Sequence, residues 1–586
     1  MPHISADEVL GNIKQANLYY QQILLRLLQS KPEDFTPHFL NNKEAPSIVS
    51  KLLNYSLQHP DKFNQVNIDH LCKLHKLINN TVHKFTNQEY SSEETDEIRD
   101  RRFKDPAWKN NIYFDFIRQY YTLSSDWLQN NIDQYDVDNE VKRYLEFITS
   151  QFMNAMSPSN FIFSNPEVIR ESLNSSLKNI VKGMENFLHD FEKSHGLFNI
   201  TTTDENQFEL GKNIATTEGK VIYQNDLMQL ICYKPENNSH AVPIFIIPPW
   251  INKYYILDLS KNNSLVRWLV KNNFQVFLVS WVNPDKKLAN KNFEDYIERG
   301  IIQPYKQIQQ LGFNKVNAVG YCIGGTLLAA ALSVLQNKQL NYINNATFLT
   351  TLIDFTDPGE IGAFINKATL DLIEQEVKKK GYLDGKYISH SFSLIRVNDL
   401  VWSFFVNNYL LGKQPNAFDI LYWNSDATNL PQKMYLYYLK NMYIDNLLKV
   451  PGKLTMLGSK VDLSKVTLPI FSLAAKGDHI ALWKSVYDGM KLFASTDKTF
   501  CLTEAGHVAG IINPAGQRKY SHNIGLDFTG DAESWLKTSK AHHNSWWNCW
   551  LKWLQEKSGK LQKSINYNDL SYIEKAPGSY VKMKSE

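Results

Sequence analysis

The segment Gly320-Tyr321-Cys322-Ile323-Gly324 places a cysteine between two glycines, after an apolar run and before a helix-forming one. This spacing is a cysteine version of the nucleophile elbow, a sharp strand-to-helix turn that lifts a reactive side chain to the end of a sheet. The turn strains the nucleophile's backbone and crowds its neighbours, so small residues are needed two positions before and after it. The N-terminus of the following helix favours a thiolate at Cys322, and the backbone N–H of Ile323 would face a developing oxyanion. A buried core cysteine beside a glycine turn is the alternative interpretation.

A cysteine nucleophile of this kind needs a base and an acid that orients the base. In folds with such an elbow, the three residues follow the order nucleophile, acid, histidine. Asp478 follows the apolar run LPIFSLAA, and His507 follows the next predicted strand, KTFCLTEAG. We therefore predict Asp478 as the acid and His507 as the base. His479 is the competing base, but its side chain should point away from that of its neighbour Asp478.

A cysteine in place of the more usual serine indicates acyl transfer. If the donor is a thioester, moving the acyl group onto Cys322 exchanges one thioester for another at almost no free-energy cost. The acyl enzyme then stays activated for a second transfer. Cysteine hydrolases with the same elbow exist, so the elbow alone is compatible with either a transferase or a hydrolase.

The elbow lies within a series of strands that alternate with helices. Several strands are near-continuous apolar runs, which are typical of a parallel sheet buried on both faces. The predicted strand segments are KVIYQNDLMQLICYK, AVPIFIIPP, FQVFLVSW, KVNAVGY, NATFLTTLIDF, LPIFSLAAKGD and KTFCLTEAG. We predict an α/β-hydrolase fold over residues 206–586, with a helical cap insertion at about 355–465. A mostly helical N-terminal domain is predicted over residues 1–205.

Composition excludes several other classes of protein. A chain of 586 residues exceeds what one simple core accommodates, and a formal charge of +3 without a dense basic run disfavours a nucleic-acid partner. The five cysteines are scattered without zinc-ligand spacing, so neither a disulfide framework nor a metal site is predicted. No apolar run approaches the roughly 18 residues of a membrane span, and we predict a cytoplasmic protein without a transmembrane segment.

Longer sequence blocks are more specific than the elbow. From about Phe103 to the C-terminus they include PPWINKYYILDLSKNNSLVRWLV, GYCIGGTLLA, TLIDFTDPGE, GDHIALW, AGHVAGIINP and SWWNCWLKWL. On these blocks the chain resembles the poly(3-hydroxyalkanoate) synthases, enzymes that polymerise (R)-3-hydroxyacyl-CoA into a storage polyester. Its length and blocks such as YLKNMYIDN resemble the single-subunit type that prefers 3-hydroxybutyryl-type substrates.

The resemblance implies roles for particular residues. It makes Cys322 the nucleophile, Asp478 the acid and His507 the base of an acyltransferase that releases CoA. It also implies a homodimer, contact of the N-terminal region with polyester granules, and no cofactor besides the CoA carried by the substrate. A second oxyanion donor is expected after IFIIPPW, at the backbone N–H of Ile251.

Further substrate contacts are predicted at Arg396, His479, Trp423 and Ala509. Arg396 would meet a CoA phosphate, Trp423 would line a substrate or dimer surface, and Ala509 would shape the acyl pocket. An ordinary ion pair at Arg396 and core packing of Trp423 are the competing interpretations. The tryptophan-rich segment SWWNCWLKWL is predicted to be an amphipathic helix packed on the sheet.

The sequence is also compatible with two other functions. A cysteine esterase of the dienelactone hydrolase kind would share the elbow but must admit water, which a polymerase must exclude. A non-enzymatic granule-coating or scaffold protein is disfavoured because Cys322, Asp478 and His507 are all present.

Overall fold

A computed structural model describes residues 6–29, 45–86, 100–194, 198–517 and 519–585. The chain divides into two compact units. The first comprises Met1–Asp204 and His390–Asn416, and the second comprises Glu205–Ser389 and Ala417–Glu586. The insertion expected at 355–465 is thus divided, because its middle part belongs to the unit of the N-terminal helices.

The first unit is helical, and among the described residues of the chain the first strand begins only at Gly219. One of its helices begins after Asn111, whose side chain accepts from the backbone N–H groups of Tyr113 and Phe114. The helices are α1 (Ala6–Gln29), α2 (Ala45–Gln58), α3 (Pro60–Phe85), α4 (Ala107–Asn110), α5 (Ile112–Asp133), α6 (Asn139–Ala155), α7 (Pro166–Asn174) and α8 (Lys178–Lys193).

Helix α8 holds the segment 390–416 within this unit. A Cβ atom at Gly183 would lie 1.8 Å from the Tyr409 carbonyl oxygen, so only glycine allows this close approach. The Tyr409 hydroxyl donates to Asp190 over 2.6 Å, and the Asn179 amide donates to the Leu410 carbonyl over 2.8 Å. These buried polar contacts explain why the middle of the insertion joins the N-terminal helices.

The second unit contains all seventeen strands of the described residues. They are β1 (Gly219–Gln224), β2 (Met228–Tyr233), β3 (Asn238–His240), β4 (Ile244–Ile247), β5 (Val276–Trp281), β6 (Val316–Tyr321), β7 (Ile343–Leu349), β8 (Tyr382–Leu383), β9 (Leu430–Pro431), β10 (Thr455–Met456), β11 (Ser459–Lys460), β12 (Ile470–Ala475), β13 (Lys498–Thr503), β14 (His522–Gly525), β15 (Lys540–His542), β16 (Leu561–Lys563) and β17 (Glu574–Lys575). Every predicted strand segment overlaps at least one of them.

Eleven strands form one sheet in the order β15-β14-β13-β12-β7-β6-β4-β5-β2-β1-β17. The six strands from β13 to β5 pair in parallel, and the remaining strands at both edges pair antiparallel. The mostly parallel sheet confirms the predicted α/β class. Because the parallel strands share one direction, their carboxyl ends meet at one edge, where ligand sites of such sheets lie.

The remaining helices are in the second unit, except that α14 crosses the division. They are α9 (Leu265–Lys271), α10 (Phe293–Ile297), α11 (Gln303–Gln310), α12 (Ile323–Asn337), α13 (Lys367–Lys380), α14 (Gly385–Ile395), α15 (Asp419–Ser425), α16 (Gln432–Tyr438), α17 (Trp483–Lys491), α18 (Ala532–Thr538) and α19 (Trp546–Lys557).

Both faces of the sheet are covered by apolar clusters. Phe245 of β4 belongs to the cluster that contains helix α12, whereas its neighbour Ile246 belongs to the cluster that contains the tryptophans of α19. Alternate side chains of a strand point to opposite faces, so β4 must be apolar throughout. Trp550 of α19 is fully buried and its indole donates to Thr347 Oγ1 of β7 over 3.0 Å, which confirms that α19 packs on the sheet.

Helices long and apolar enough to cross a bilayer are not found in the described part of the chain.

The close contact at Gly183 predicts an asymmetric response to alanine in two helices of the first unit. Gly183→Ala should lower the free energy of unfolding by about 1–3 kcal/mol, because the Tyr409 backbone must move. Gly11→Ala in α1, where an added Cβ meets no atom within 4 Å, should instead stabilise by up to about 1 kcal/mol. Thermal unfolding of both variants, followed by circular dichroism, tests this. Equal responses would contradict the described packing of α8.

Candidate active site

Cys322 occupies the turn between β6 and α12 in a strained backbone conformation. Its φ is 53° and its ψ is −126°, a region that residues with a Cβ rarely adopt. The Cys322 N–H donates to the Leu349 carbonyl over 2.9 Å, so the neighbouring strand β7 holds the turn. The structure thus gives Cys322 the elbow geometry that the glycine spacing predicted.

The flanking glycines are required by close backbone approaches. A Cβ at Gly320 would lie 2.5 Å from the Gly325 Cα atom, and a Cβ at Gly324 would lie 2.3 Å from the Ile247 carbonyl oxygen. The first contact lets strand β6 turn into α12, and the second brings the end of β4 against the start of α12. Any larger residue at either position would displace the backbone around Cys322.

Asp478 and His507 come together at the carboxyl ends of β12 and β13. His507 Nδ1 lies 2.6 Å from Asp478 Oδ2, and the aspartate side chain is fully buried. The other carboxylate oxygen accepts from the backbone N–H groups of Ile480 and Ala481 over 2.8 and 2.9 Å. Three donors therefore hold the carboxylate in one orientation.

The hydrogen bond to Asp478 fixes which nitrogen of His507 faces Cys322. A carboxylate only accepts, so Nδ1 carries a proton and Nε2 is left for the cysteine. Burial favours the neutral imidazole, but the charges of Asp478 and Cys322, with hydrogen bonds to both side chains, raise the pKa of His507 well above its usual value. The arrangement can accept a proton from the thiol and keep it next to the sulfur.

The predicted oxyanion donors lie on two segments that meet at the elbow. Helix α12 begins at Ile323, so the N–H of Ile323 is in the first turn, where N–H groups lack an acceptor within the helix. Ile251 follows the end of β4, in a loop held by the Trp281 indole, which donates to the Pro248 carbonyl over 2.8 Å. The donor roles of Ile323 and Ile251 stay predictions.

Aromatic residues of the cap lie close to Cys322, and sequence analysis did not single them out. Tyr438 and Tyr443 meet edge to face with ring centroids 5.4 Å apart, and Tyr443 meets Phe355 at 4.9 Å. Burial raises the pKa of both tyrosines, and the charge of Cys322 adds to this effect. The segments YLKNMYI and LIDF gave an aromatic signal, but nothing local indicated that Tyr438 and Tyr443 would interact electrostatically with Cys322.

The structure separates His479 from the acid–base pair. Its Nδ1 atom lies 3.2 Å from Glu360 Oε1 and its side chain is half exposed, whereas the imidazole of His507 contacts Asp478. Ala509 lies partly buried on the turn that follows β13 and carries His507. Its proposed contact with the acyl group stays a prediction.

Arg396 forms an ordinary ion pair and Trp423 packs in the core, as the two competing interpretations of these residues expected. Arg396 forms an exposed ion pair with Asp399, one helical turn away in the first unit. Trp423 is only 5% exposed, and its indole donates to the Lys253 carbonyl over 2.6 Å. Next to it, Lys253 and Asp426 form a buried ion pair of 2.7 Å that fastens the cap to the loop after β4. Trp423 therefore packs inside the second unit.

Two family models match the chain. The model for the N-terminus of poly-beta-hydroxybutyrate polymerase (PhaC) matches residues 99–269, and the model for the alpha/beta hydrolase fold matches residues 249–514. The second match spans β5, the elbow at Cys322 and the turn of His507. Together with the mostly parallel sheet it confirms the predicted α/β-hydrolase fold.

Curated relatives match over most of their length. The poly(3-hydroxyalkanoate) polymerase subunit PhaC of Rhizobium meliloti is 37% identical over 541 residues, which cover 92% of this chain and 88% of the relative. The corresponding subunit of Cupriavidus necator is 39% identical over 507 residues, 85% of each chain. The poly(3-hydroxyalkanoate) polymerase of Methylorubrum extorquens is 39% identical over 492 residues, covering 83% of this chain and 81% of the relative. With this elbow and this sheet, the chain belongs to the poly(3-hydroxyalkanoate) polymerase family.

Proposed function

We propose that this protein polymerises (R)-3-hydroxyacyl-CoA into polyester, carrying the acyl chain as a thioester on Cys322 and releasing CoA. One observation supports it above the others: His507 is held by Asp478 with its second ring nitrogen left for a cysteine on a strained elbow. Membership of the polymerase family supports the choice of reaction.

The first half-reaction loads the cysteine. His507 Nε2 takes the thiol proton, and the Cys322 thiolate attacks the thioester carbonyl of the substrate. The oxyanion accepts hydrogen bonds from the N–H groups of Ile323 and Ile251. When the C–S bond to CoA breaks, His507 returns the proton to the CoA sulfur.

The second half-reaction lengthens the chain. The 3-hydroxyl of another unit attacks the acyl-Cys322 carbonyl, and His507, oriented by Asp478, takes the hydroxyl proton. An ester bond forms, the C–S bond to Cys322 breaks, and the proton passes to the cysteine sulfur. Polymerisation requires this hydroxyl to react in preference to water, and the aromatic rings of Tyr438 and Tyr443 near Cys322 support such exclusion.

Removal of the nucleophile should abolish turnover. Cys322→Ala is expected to lower CoA release from (R)-3-hydroxybutyryl-CoA to below about one thousandth of the wild-type rate, because no other group can accept the acyl chain. Release of CoA is followed with a thiol reagent, and the product is sized afterwards. Cys72→Ser, at an exposed cysteine of the first unit, is the control and should keep full activity.

Two outcomes would contradict the proposal. Appreciable turnover by Cys322→Ala would exclude the covalent scheme. Free CoA accompanied only by monomeric hydroxy acid would show that Cys322 serves a hydrolase of the dienelactone hydrolase kind.

The charge of Asp478 should control the pH dependence. His507 must be unprotonated to take the thiol proton, and the charge of Asp478 raises the pKa of His507, so the acidic limb of kcat/KM lies at higher pH than it would without that charge. Asp478→Asn removes a charge that raises this pKa. We expect a rate about 10²–10⁴-fold lower and an acidic limb shifted to lower pH. The pH profiles of kcat/KM for the wild type and for Asp478→Asn test this prediction. An acidic limb that does not shift would show that Asp478 does not set the pKa of His507.

We further propose a cytoplasmic homodimer that prefers 3-hydroxybutyryl-CoA and contacts the polyester granule through helix α1. Leu18, Leu25 and Leu28 recur on one side of α1 and are 60%, 59% and 75% exposed. Apolar side chains exposed in such a row are typical of a surface that meets an apolar partner.

The exposed leucines of α1 give a further prediction. The double variant Leu25→Gln/Leu28→Gln should reduce binding to poly(3-hydroxybutyrate) particles several-fold while leaving the initial rate of CoA release unchanged. Leu526→Gln, at a 72% exposed leucine of the second unit, is the matched control. Cosedimentation with the particles measures binding, and analytical ultracentrifugation of the same variants shows whether these leucines support the dimer instead. Unchanged binding would exclude α1 as the granule contact.

A further inference from the structure

Three side chains with nitrogen and sulfur donors converge at the edge of the main sheet. His522 of β14 and His542 of β15 are direct cross-strand partners, and their rings stack with centroids 5.1 Å apart. Cys549 of α19 joins them, and one donor atom from each residue lies within 4.8 Å of the others. His522 is fully buried, whereas His542 and Cys549 are partly buried.

The hydrogen bonds of His522 prepare it as a ligand. Its Nδ1 lies 2.8 Å from the Asn544 carbonyl, which only accepts, so Nδ1 carries the proton. Nε2 therefore presents a lone pair, and it lies 3.2 Å from Cys549 Sγ. A backbone carbonyl on the remote nitrogen is the usual arrangement behind a metal-bound histidine.

We propose that His522, His542 and Cys549 form a binding site for a divalent transition-metal ion of the zinc type. Imidazole and thiolate donors suit zinc, whereas magnesium and calcium require oxygen donors. Tetrahedral zinc geometry requires donor separations of about 3.3–3.6 Å. The His522 Nε2–Cys549 Sγ separation of 3.2 Å is close to this value, and a donor atom of His542 lies within 4.8 Å of both residues' donor atoms.

The charge balance of the site favours a thiolate ligand. Binding of the ion releases the thiol proton of Cys549 to solvent, so the site gains one positive charge rather than two. This matters because Lys552 acts electrostatically on both His542 and Cys549, and Lys540 acts on His542. Three protein ligands leave the fourth position of the ion for water.

The site would brace the segment that follows the catalytic histidine. The first residues of α19 hold this segment, because the Trp546 and Trp547 indoles donate to the Gly510 and Ile511 carbonyls over 2.8 and 2.9 Å. An ion shared by Cys549 and strands β14 and β15 would fasten α19 to the sheet edge. We therefore expect the bound ion to have a structural role. Its loss should lower the stability of the protein rather than change the catalysed reaction.

Cobalt and zinc titrations of the full-length protein, stripped with a chelator and kept reduced, test the site. Bound Co²⁺ should give a thiolate-to-metal charge-transfer band that Zn²⁺ displaces, and Zn²⁺ should raise Tm by at least about 2 °C. Cys549→Ser should lose the band and His542→Asn should weaken Co²⁺ binding at least tenfold. His543→Asn, at the adjacent histidine, is the matched control and should behave as wild type.

Cys322→Ala serves to exclude the active-site thiol and should retain the band. The proposal is overturned if Co²⁺ gives no charge-transfer band, or if the band survives in Cys549→Ser and disappears in Cys322→Ala. A Zn²⁺ effect on Tm that is equal in wild type and Cys549→Ser would also overturn it. In that case the 3.2 Å contact is an ordinary hydrogen bond from the thiol to His522 Nε2.

Discussion

The strained backbone of Cys322 is the constraint on which the site depends. A positive φ at a residue with a Cβ costs about 1–3 kcal/mol, and the surrounding structure must offset it. Here the offset comes from the parallel strands on both sides. Leu349 of β7 accepts from the Cys322 N–H, and the end of β4 lies against Gly324 at a distance that excludes a side chain. Buried neighbours on both sides therefore hold the strained turn at Cys322, which is itself partly buried.

The acid–base pair depends on the balance between burial and charge. Burial alone would favour the neutral imidazole of His507, which contacts the buried carboxylate of Asp478. Two backbone N–H groups satisfy that carboxylate, and its charge then draws a proton toward His507. The rings of Tyr438 and Tyr443 lie close enough to act electrostatically with Cys322.

The centre and the edges of the main sheet differ in strand direction and in the residues that they position. The parallel strands in the middle are buried on both faces and carry Cys322, Asp478 and His507 at their carboxyl ends. The antiparallel strands β14 and β15 close one edge beside α19, whose tryptophans cover one face. Helix α19 thus connects the sheet edge, where His522 and Cys549 meet, with the segment after His507.

The sequence by itself determined the central strands, the elbow at Cys322 and the order of Asp478 and His507. These features are local: glycine spacing encodes a turn, and apolar runs encode strands buried on both faces. Only the tertiary structure decided which distant segments meet. It brought Tyr443 of the cap near Cys322, and it assigned residues 390–416 to the helical unit. It also assembled His522, His542 and Cys549, whose sequence spacing follows no ligand motif. Such contacts depend on strand pairing and helix packing between distant segments, and these cannot be predicted from the spacing of residues within one segment.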